Sequence, residues 1–149
     1  MTSPSSPHIT CTRRLQFSAG HRVYLHESKC AHMHGHNYVV YLEAESPQLD
    51  SVGRVIDFGV LKDLLGSWID KFWDHGFIYF QGDNELEYLF NTGLLSSHKS
   101  YELPLNPTAE NMALYLLGVI GPEVLSETDV RLISVTLYET ENCYATARL

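Results

Sequence analysis

Residues 21 to 36 hold His21, Cys30, His34 and His36, in "HRVYLHESKCAHMHGH". In an extended strand, residues two apart point the same way, so His34 and His36 present their imidazoles side by side. Gly35 between them adds no side chain. Two imidazoles on one face need at least one more ligand to hold a divalent ion. His21 is the natural third: it shares parity with Phe17 and Ala19, and a neighbouring antiparallel strand would bring it to the pair. Three neutral histidines with an open fourth position describe a catalytic zinc site rather than a structural one. The competing reading is a surface His-x-His that binds nothing. His32 has the parity of the pair but would be a fourth imidazole, and His8, His26 and His98 read as solvated or core histidines.

Cys30 lies four residues before His34 and beside Lys29, whose charge favours a thiolate. Such a thiol serves as a proton-abstracting base or a nucleophile; otherwise it is a small buried hydrophobe, the reading that suits Cys11 and Cys143 better. Asp74 and His75 adjoin at the end of a predicted helix, as a carboxylate–imidazole proton shuttle or as a capping pair. Glu139 ends a stripe of Ile133, Val135 and Leu137. It is either exposed at an edge or buried against a partner, and a flat heterocycle with two adjacent N–H groups would suit it.

The chain that must position these groups has 149 residues, enough for one domain with a core of its own. Its hydrophobic fraction of 44% is that of a globular protein. Three cysteines without framework spacing predict free thiols and a reducing compartment. "MTSPSSP" has neither a basic nor an apolar stretch, and "ALYLLGVI" is too short to span a bilayer, so a cytoplasmic protein without membrane association is expected. The net charge of −8 argues against nucleic-acid binding. Residues 1–36 nevertheless carry Arg13, Arg14, Arg22 and Lys29 against Glu27 alone, with six of the eight histidines. A basic, imidazole-rich segment in an acidic protein suits a small anionic ligand.

Alternating residues 9–18 predict a half-buried strand and residues 36–45 a second. Leu61, Leu64, Leu65, Trp68, Ile69 and Phe72 repeat at helical spacing. Residues 76–106 read as a long connection with one short helix. A second helix follows "NPTAEN", capped by Asn106 or Thr108 with Pro107 in its first turn, and stops at Gly121 and Pro122. Residues 130–140 and "CYATARL" complete the set. The order ββ, helix, loop, helix, ββ predicts an α+β domain with an antiparallel sheet. Residues 1–8 are expected to be a disordered terminus, and 9–149 one domain with an insertion at about 76–106.

"FSAGH" (17–21), "CAHMHGHN" (30–37), "VIDFGVLK" (55–62), "DH" (74–75), "PTAEN" (107–111) and "YET" (138–140), in that order, resemble the 6-pyruvoyl-tetrahydropterin synthase superfamily. The short Cys-x-x-x-His-Gly-His is most similar to its bacterial 6-carboxy-tetrahydropterin synthase branch, which serves 7-deazaguanine and queuosine synthesis. The resemblance implies the tunnelling fold: a four-stranded antiparallel sheet with two helices on one face, ββααββ, assembling as a homo-oligomeric barrel, hexamer or tetramer, with active sites at subunit interfaces. It implies zinc on His21, His34 and His36, Cys30 as base, Asp74 and His75 as its relay, and Glu139 as anchor for the pterin edge, with Thr108 and Glu110 lining the pocket. The implied reaction converts 7,8-dihydroneopterin triphosphate to 6-carboxy-5,6,7,8-tetrahydropterin with release of acetaldehyde and triphosphate. The alternatives are triphosphate elimination alone, giving 6-pyruvoyl-tetrahydropterin, and a non-catalytic zinc or pterin-binding module. Arg13, Arg14, Arg22 and Lys29 are the candidate triphosphate partners.

Overall fold

A computed structural model describes residues 7–149. Most of the terminus expected to lack order, residues 1–8, lies outside the described residues. At its end, His8 pairs with Glu45 at 2.9 Å.

Cys11–His21 forms β1 and His34–Glu45 forms β2, paired antiparallel from Cys11 opposite Ala44 to His21 opposite His34. β2 then pairs with β5 (Arg131–Thr140), and β5 with β6 (Cys143–Arg148), both antiparallel. These four strands are the predicted antiparallel run. The sheet itself is larger: its order is β4-β3-β1-β2-β5-β6, with β3 (Gly76–Phe80) and β4 (Ser100–Leu103) added in parallel on the outer side of β1. The four-stranded expectation is therefore corrected to a six-stranded mixed sheet. The segment 76–106 is not a bare connection but a strand–helix–strand crossover, which parallel neighbours require.

The first long helical stretch, residues 58–72, opens with α1 (Phe58–Leu61) and closes with α2 (Ser67–Phe72), separated by a π-helical turn at Lys62–Gly66. Asp57 starts it by accepting a 2.7 Å bond from the Gly59 N–H, one of the donors a helix start leaves without a partner. α3 (Asn84–Asn91) lies inside the crossover. α4 (Ala109–Tyr115) and α5 (Gly121–Val124) flank a second π-helical turn at Leu116–Ile120. Thr108, not Asn106, caps α4, its hydroxyl accepting from the Asn111 N–H at 3.2 Å, so Pro107 stands outside the first turn. The helix also runs through Gly121 and Pro122 rather than stopping there. Pro122 falls at the start of α5, where the hydrogen-bond register changes and its missing N–H removes little.

Phe17, Ala19, Tyr38, Val40, Leu42, Val135 and Leu137 face the core from the sheet, and Leu61, Leu65, Ile69, Met112, Leu116 and Ile120 meet them from the two long helical stretches. Those helices share one face, as predicted. α3 does not join them. Leu86 and Phe90 pack with Tyr79 and Phe77 in a separate cluster, against the opposite face of the β3 edge. Among the described residues no helix is long and apolar enough to cross a membrane, and all three cysteines are free.

Two irregularities change which side chains face the core. The β2–β5 register slips between Glu43 and Ala44, so Leu132 is buried where alternation assigned Ile133. The β5–β6 register slips between Tyr138 and Thr140, leaving Glu139 as the extra residue of a bulge. Bulges beside functional sites re-aim a side chain.

Candidate active site

The end of the β1–β2 ladder carries the three histidines. Because His21 stands opposite His34 and Ala19 opposite His36, the rings emerge on the helix-covered face, directly after Phe17, Ala19 and Tyr38. The Nε2 atoms of His21 and His34 are 3.1 Å apart, as are those of His34 and His36. One ligand atom from each residue lies within 4.8 Å of the others. The strands approach closely here because Gly20 sits opposite Gly35. A Cβ on Gly35 would stand 3.1 Å from the Ala19 carbonyl oxygen, and one on Gly20 would stand 2.7 Å from the Phe77 ring.

The donor chemistry fits a divalent ion. The Nδ1 of His21 lies 2.8 Å from the Pro107 carbonyl and that of His34 lies 2.6 Å from the His32 carbonyl. A carbonyl accepts only, so each Nδ1 carries the proton and each Nε2 keeps a free lone pair directed at its neighbours. Burial, together with the adjacent His34 and His36 rings, pushes the His21 imidazole down to about 4, so it is a neutral donor at physiological pH. Burial also lowers His36, with His34 contributing. Bare, these facing lone pairs repel one another, and a cation between them removes that repulsion. The cluster is the set of three imidazoles that the sequence points to.

A hollow of about 210 Å³ opens beside His21. Cys30, Thr108, Glu110 and Glu139 all line it, so the structure gathers the predicted base, anchor and pocket residues against one of the ligands. Cys30 is carried by a single 3-10 turn, Lys29–Ala31, and its carbonyl accepts from the Val23 N–H at 2.8 Å, which closes the loop after β1. Glu139 approaches His36 Nε2 at 3.8 Å. Burial raises its carboxyl above the usual range, and the nearby Glu110 adds to that rise.

Asp74 and His75 are not in this hollow. They follow α2 and are tied to β1 on a different side: Asp74 Oδ1 accepts from the Ser18 N–H at 2.9 Å, and the His75 N–H donates to the Ser18 carbonyl at 2.6 Å. His75 Nδ1 lies 2.8 Å from Asp74 Oδ2, so the pair itself is formed as predicted. His75 lines a larger, open hollow of about 720 Å³ with Ser18, Asn37 and Phe77. Within one chain the pair and Cys30 therefore stand apart.

The basic residues are also redistributed. Arg22 is committed to Asp83, with Nε to Oδ2 at 2.7 Å and a guanidinium nitrogen to Oδ1 at 2.6 Å; Asp83 is 1% exposed and starts α3. Arg13 and Arg14 lie eight and seven residues up β1 from His21, roughly 25 Å along the strand. Of the four triphosphate candidates only Lys29 remains near its own chain's hollow, beside Cys30.

Sequence reasoning missed three contributors. His26 lines the hollow, and its spacing four residues before Cys30 was the available signal. Tyr38 is fully buried beside the ligands, its ring 5.4 Å from that of His36 and 5.9 Å from that of His21, and its parity with His36 foretold that. The Pro107 carbonyl that orients His21 is backbone and leaves no residue signature. It is held in place by Asn106, which accepts from the Tyr24 N–H and donates to the Tyr24 carbonyl, both at 2.9 Å.

A family model described as 6-pyruvoyl tetrahydropterin synthase matches residues 10–149. A curated relative from Rickettsia bellii, named 6-carboxy-5,6,7,8-tetrahydropterin synthase, is 40% identical over 136 residues, covering 91% of this chain and 97% of its own. Among solved structures, an uncharacterised protein from Wolinella succinogenes superposes with a TM-score of 0.81 at 23% identity, covering 96% of this chain and 99% of that one. The 6-pyruvoyl tetrahydropterin synthase of Caenorhabditis elegans superposes with a TM-score of 0.64 at 25% identity, covering 96% of each chain.

Proposed function

Because the chain belongs to the 6-pyruvoyl tetrahydropterin synthase family, we propose that it is a zinc-dependent 6-carboxy-5,6,7,8-tetrahydropterin synthase. The substrate is 7,8-dihydroneopterin triphosphate, and the products are 6-carboxy-5,6,7,8-tetrahydropterin, acetaldehyde and triphosphate. A water molecule completes the balance, since cleavage of the three-carbon side chain leaves a carboxyl on one fragment and an aldehyde on the other. The observation that carries this reading is the meeting of the His21, His34 and His36 ring nitrogens in one cluster, with Cys30 and Glu139 lining the hollow beside His21.

His21, His34 and His36 would hold the zinc, which when bound supplies a Lewis acid toward side-chain oxygens of the substrate. Glu139, lifted out of the strand by its bulge, accepts the paired N–H groups of the pterin edge. Cys30, as thiolate, removes a proton from the substrate side chain, which starts loss of the triphosphate. His75 returns protons, with Asp74 on its Nδ1 holding the ring so that Nε2 faces the reaction. Thr108 holds the start of α4 and Glu110 the hollow's acidic rim.

A hollow of about 210 Å³ is smaller than the ~300–1,000 Å³ of ordinary ligand pockets, and it lacks Asp74 and His75. Both facts support assembly into a homo-oligomeric barrel in which a neighbouring subunit supplies the relay and the remaining walls. Arg13 and Arg14, remote from their own chain's hollow, then become triphosphate candidates for a neighbour's. Free cysteines and a small soluble metabolite as substrate suit the cytoplasm.

The test is product analysis of purified protein supplied with 7,8-dihydroneopterin triphosphate. Equal amounts of acetaldehyde and triphosphate are expected, together with the carboxylated pterin. Triphosphate without acetaldehyde would make the protein a 6-pyruvoyl-tetrahydropterin synthase instead, and neither product would leave only a binding module.

A further inference from the structure

We infer that Lys99, from the crossover segment, is a positioning residue for the Asp74–His75 pair. The inference rests on the relay proposed above. His75 has φ of 58°, a left-handed backbone that a non-glycine residue adopts at a cost and keeps only when its surroundings enforce it. Those surroundings are specific. On one side, Ser18 exchanges backbone bonds with the His75 N–H and the Asp74 carboxylate. On the other, Lys99 Nζ donates to the Asp70 carbonyl at 2.7 Å and to the Asp74 carbonyl. These acceptors stand at the C-terminal end of α2, where carbonyls are left without helical partners and a cation is favoured.

The stem of Lys99 contributes as well as its ammonium group. A Cβ on Gly76 would stand 3.2 Å from Lys99 Cγ, so the elbow after His75 is packed directly on the lysine. The Lys99 carbonyl accepts from the Phe77 N–H at 3.0 Å, which seats the lysine where β4 begins to pair with β3. Lys99 and His75 also line the same open hollow. Although partial burial of Asp74 works the other way, the Ser18 N–H and His75 hold its carboxyl below the usual range, and the Lys99 charge adds to this. Lys99 thus fixes the backbone from which the imidazole projects without itself reaching substrate. The crossover that carries it buttresses the relay rather than covering the site.

The experiment compares K99M, K99R, H75Q and K99M/H75Q as full-length proteins, reading kcat, KM for 7,8-dihydroneopterin triphosphate, zinc content and melting. K99M keeps the stem and loses the ammonium. Its kcat should fall roughly 10- to 100-fold, the scale set by small misplacements of a reacting group, with KM and zinc unchanged. K99R, which restores a donor, should recover most of the rate, and K99Q replaces K99M if that variant does not fold. K99M/H75Q should be no slower than H75Q, because the lysine acts through the histidine. A K99M enzyme within twofold of wild type beside an inactive H75Q would overturn the positioning role and leave the relay intact. Equal slowing by K99M in the wild-type and H75Q backgrounds would overturn it too. An H75Q enzyme as fast as wild type would defeat the relay itself, and Lys99's part with it.

Discussion

Replacing Cys30 with alanine should lower kcat by about 10²–10⁴-fold while the bound ion stays in place. The separation of these two effects is what the geometry demands. The groups that converge as candidate ligands are the rings of His21, His34 and His36, and Cys30 is not among them. The thiol instead lines the hollow that opens beside His21, on a short turn tied back to Val23. Losing it removes the proton acceptor and leaves the ligand rings with their own tethers, the Pro107 and His32 carbonyls. Cysteine to serine separates shape from acidity: the hydroxyl fits the same space but is a far weaker acid, so C30S should be nearly as slow as C30A. Turnover by product release and metal by elemental analysis check both halves. A C30A protein that loses its metal would make Cys30 a ligand and remove the base from the mechanism.

Glu139 carries the second large effect. E139A should lower kcat/KM by about 10³-fold, mostly through KM, because a carboxylate that accepts two N–H bonds anchors ground state and transition state alike. The bulge frees Glu139 from pairing with β6, and its neighbours across the hollow, Glu110 and Thr108, start α4. Among the described residues no lysine or arginine pairs with it, and its ionic contact is His36 at 3.8 Å. A carboxylate held at a raised pKa by burial, without a strong partner of its own, suits a ligand that brings the partner. E139Q retains one acceptor and should fall between wild type and E139A. Steady-state kinetics on the three proteins decide it, and an E139A enzyme with unchanged KM would remove Glu139 from substrate recognition.

The three-histidine cluster was legible because strand parity is local information. His34, Gly35 and His36 fix two rings on one face, and the alternation through Phe17 and Ala19 carries His21 to the same face once β1 and β2 pair. The helical spacing from Leu61 to Phe72 located the first helix equally well, although the π turn inside it leaves no trace in that spacing. What failed was information carried between distant segments. "GFIYF" becomes β3 because it lies parallel to Ala19–His21, and its outer partner, Ser100–Leu103, arrives only after α3 has crossed the edge. Neither strand alternates cleanly over its few residues. The bulge at Ile133 reverses the faces that simple alternation assigns, and the one at Glu139 re-aims a site residue by the same mechanism. Arg22 read as a ligand for phosphate until the fold brought Asp83 against it. The separation of Asp74 and His75 from Cys30 likewise depends on where α2 ends relative to β1.

Zinc stoichiometry tests the central claim most directly. Elemental analysis of the purified protein, of C30A and of H34A after equilibration with zinc and removal of excess should give one zinc per chain in the first two, matching the three-histidine cluster among the described residues, and none in H34A. A wild-type protein that takes up no zinc, or an H34A variant that holds as much as wild type, would contradict a metal centre built from His21, His34 and His36.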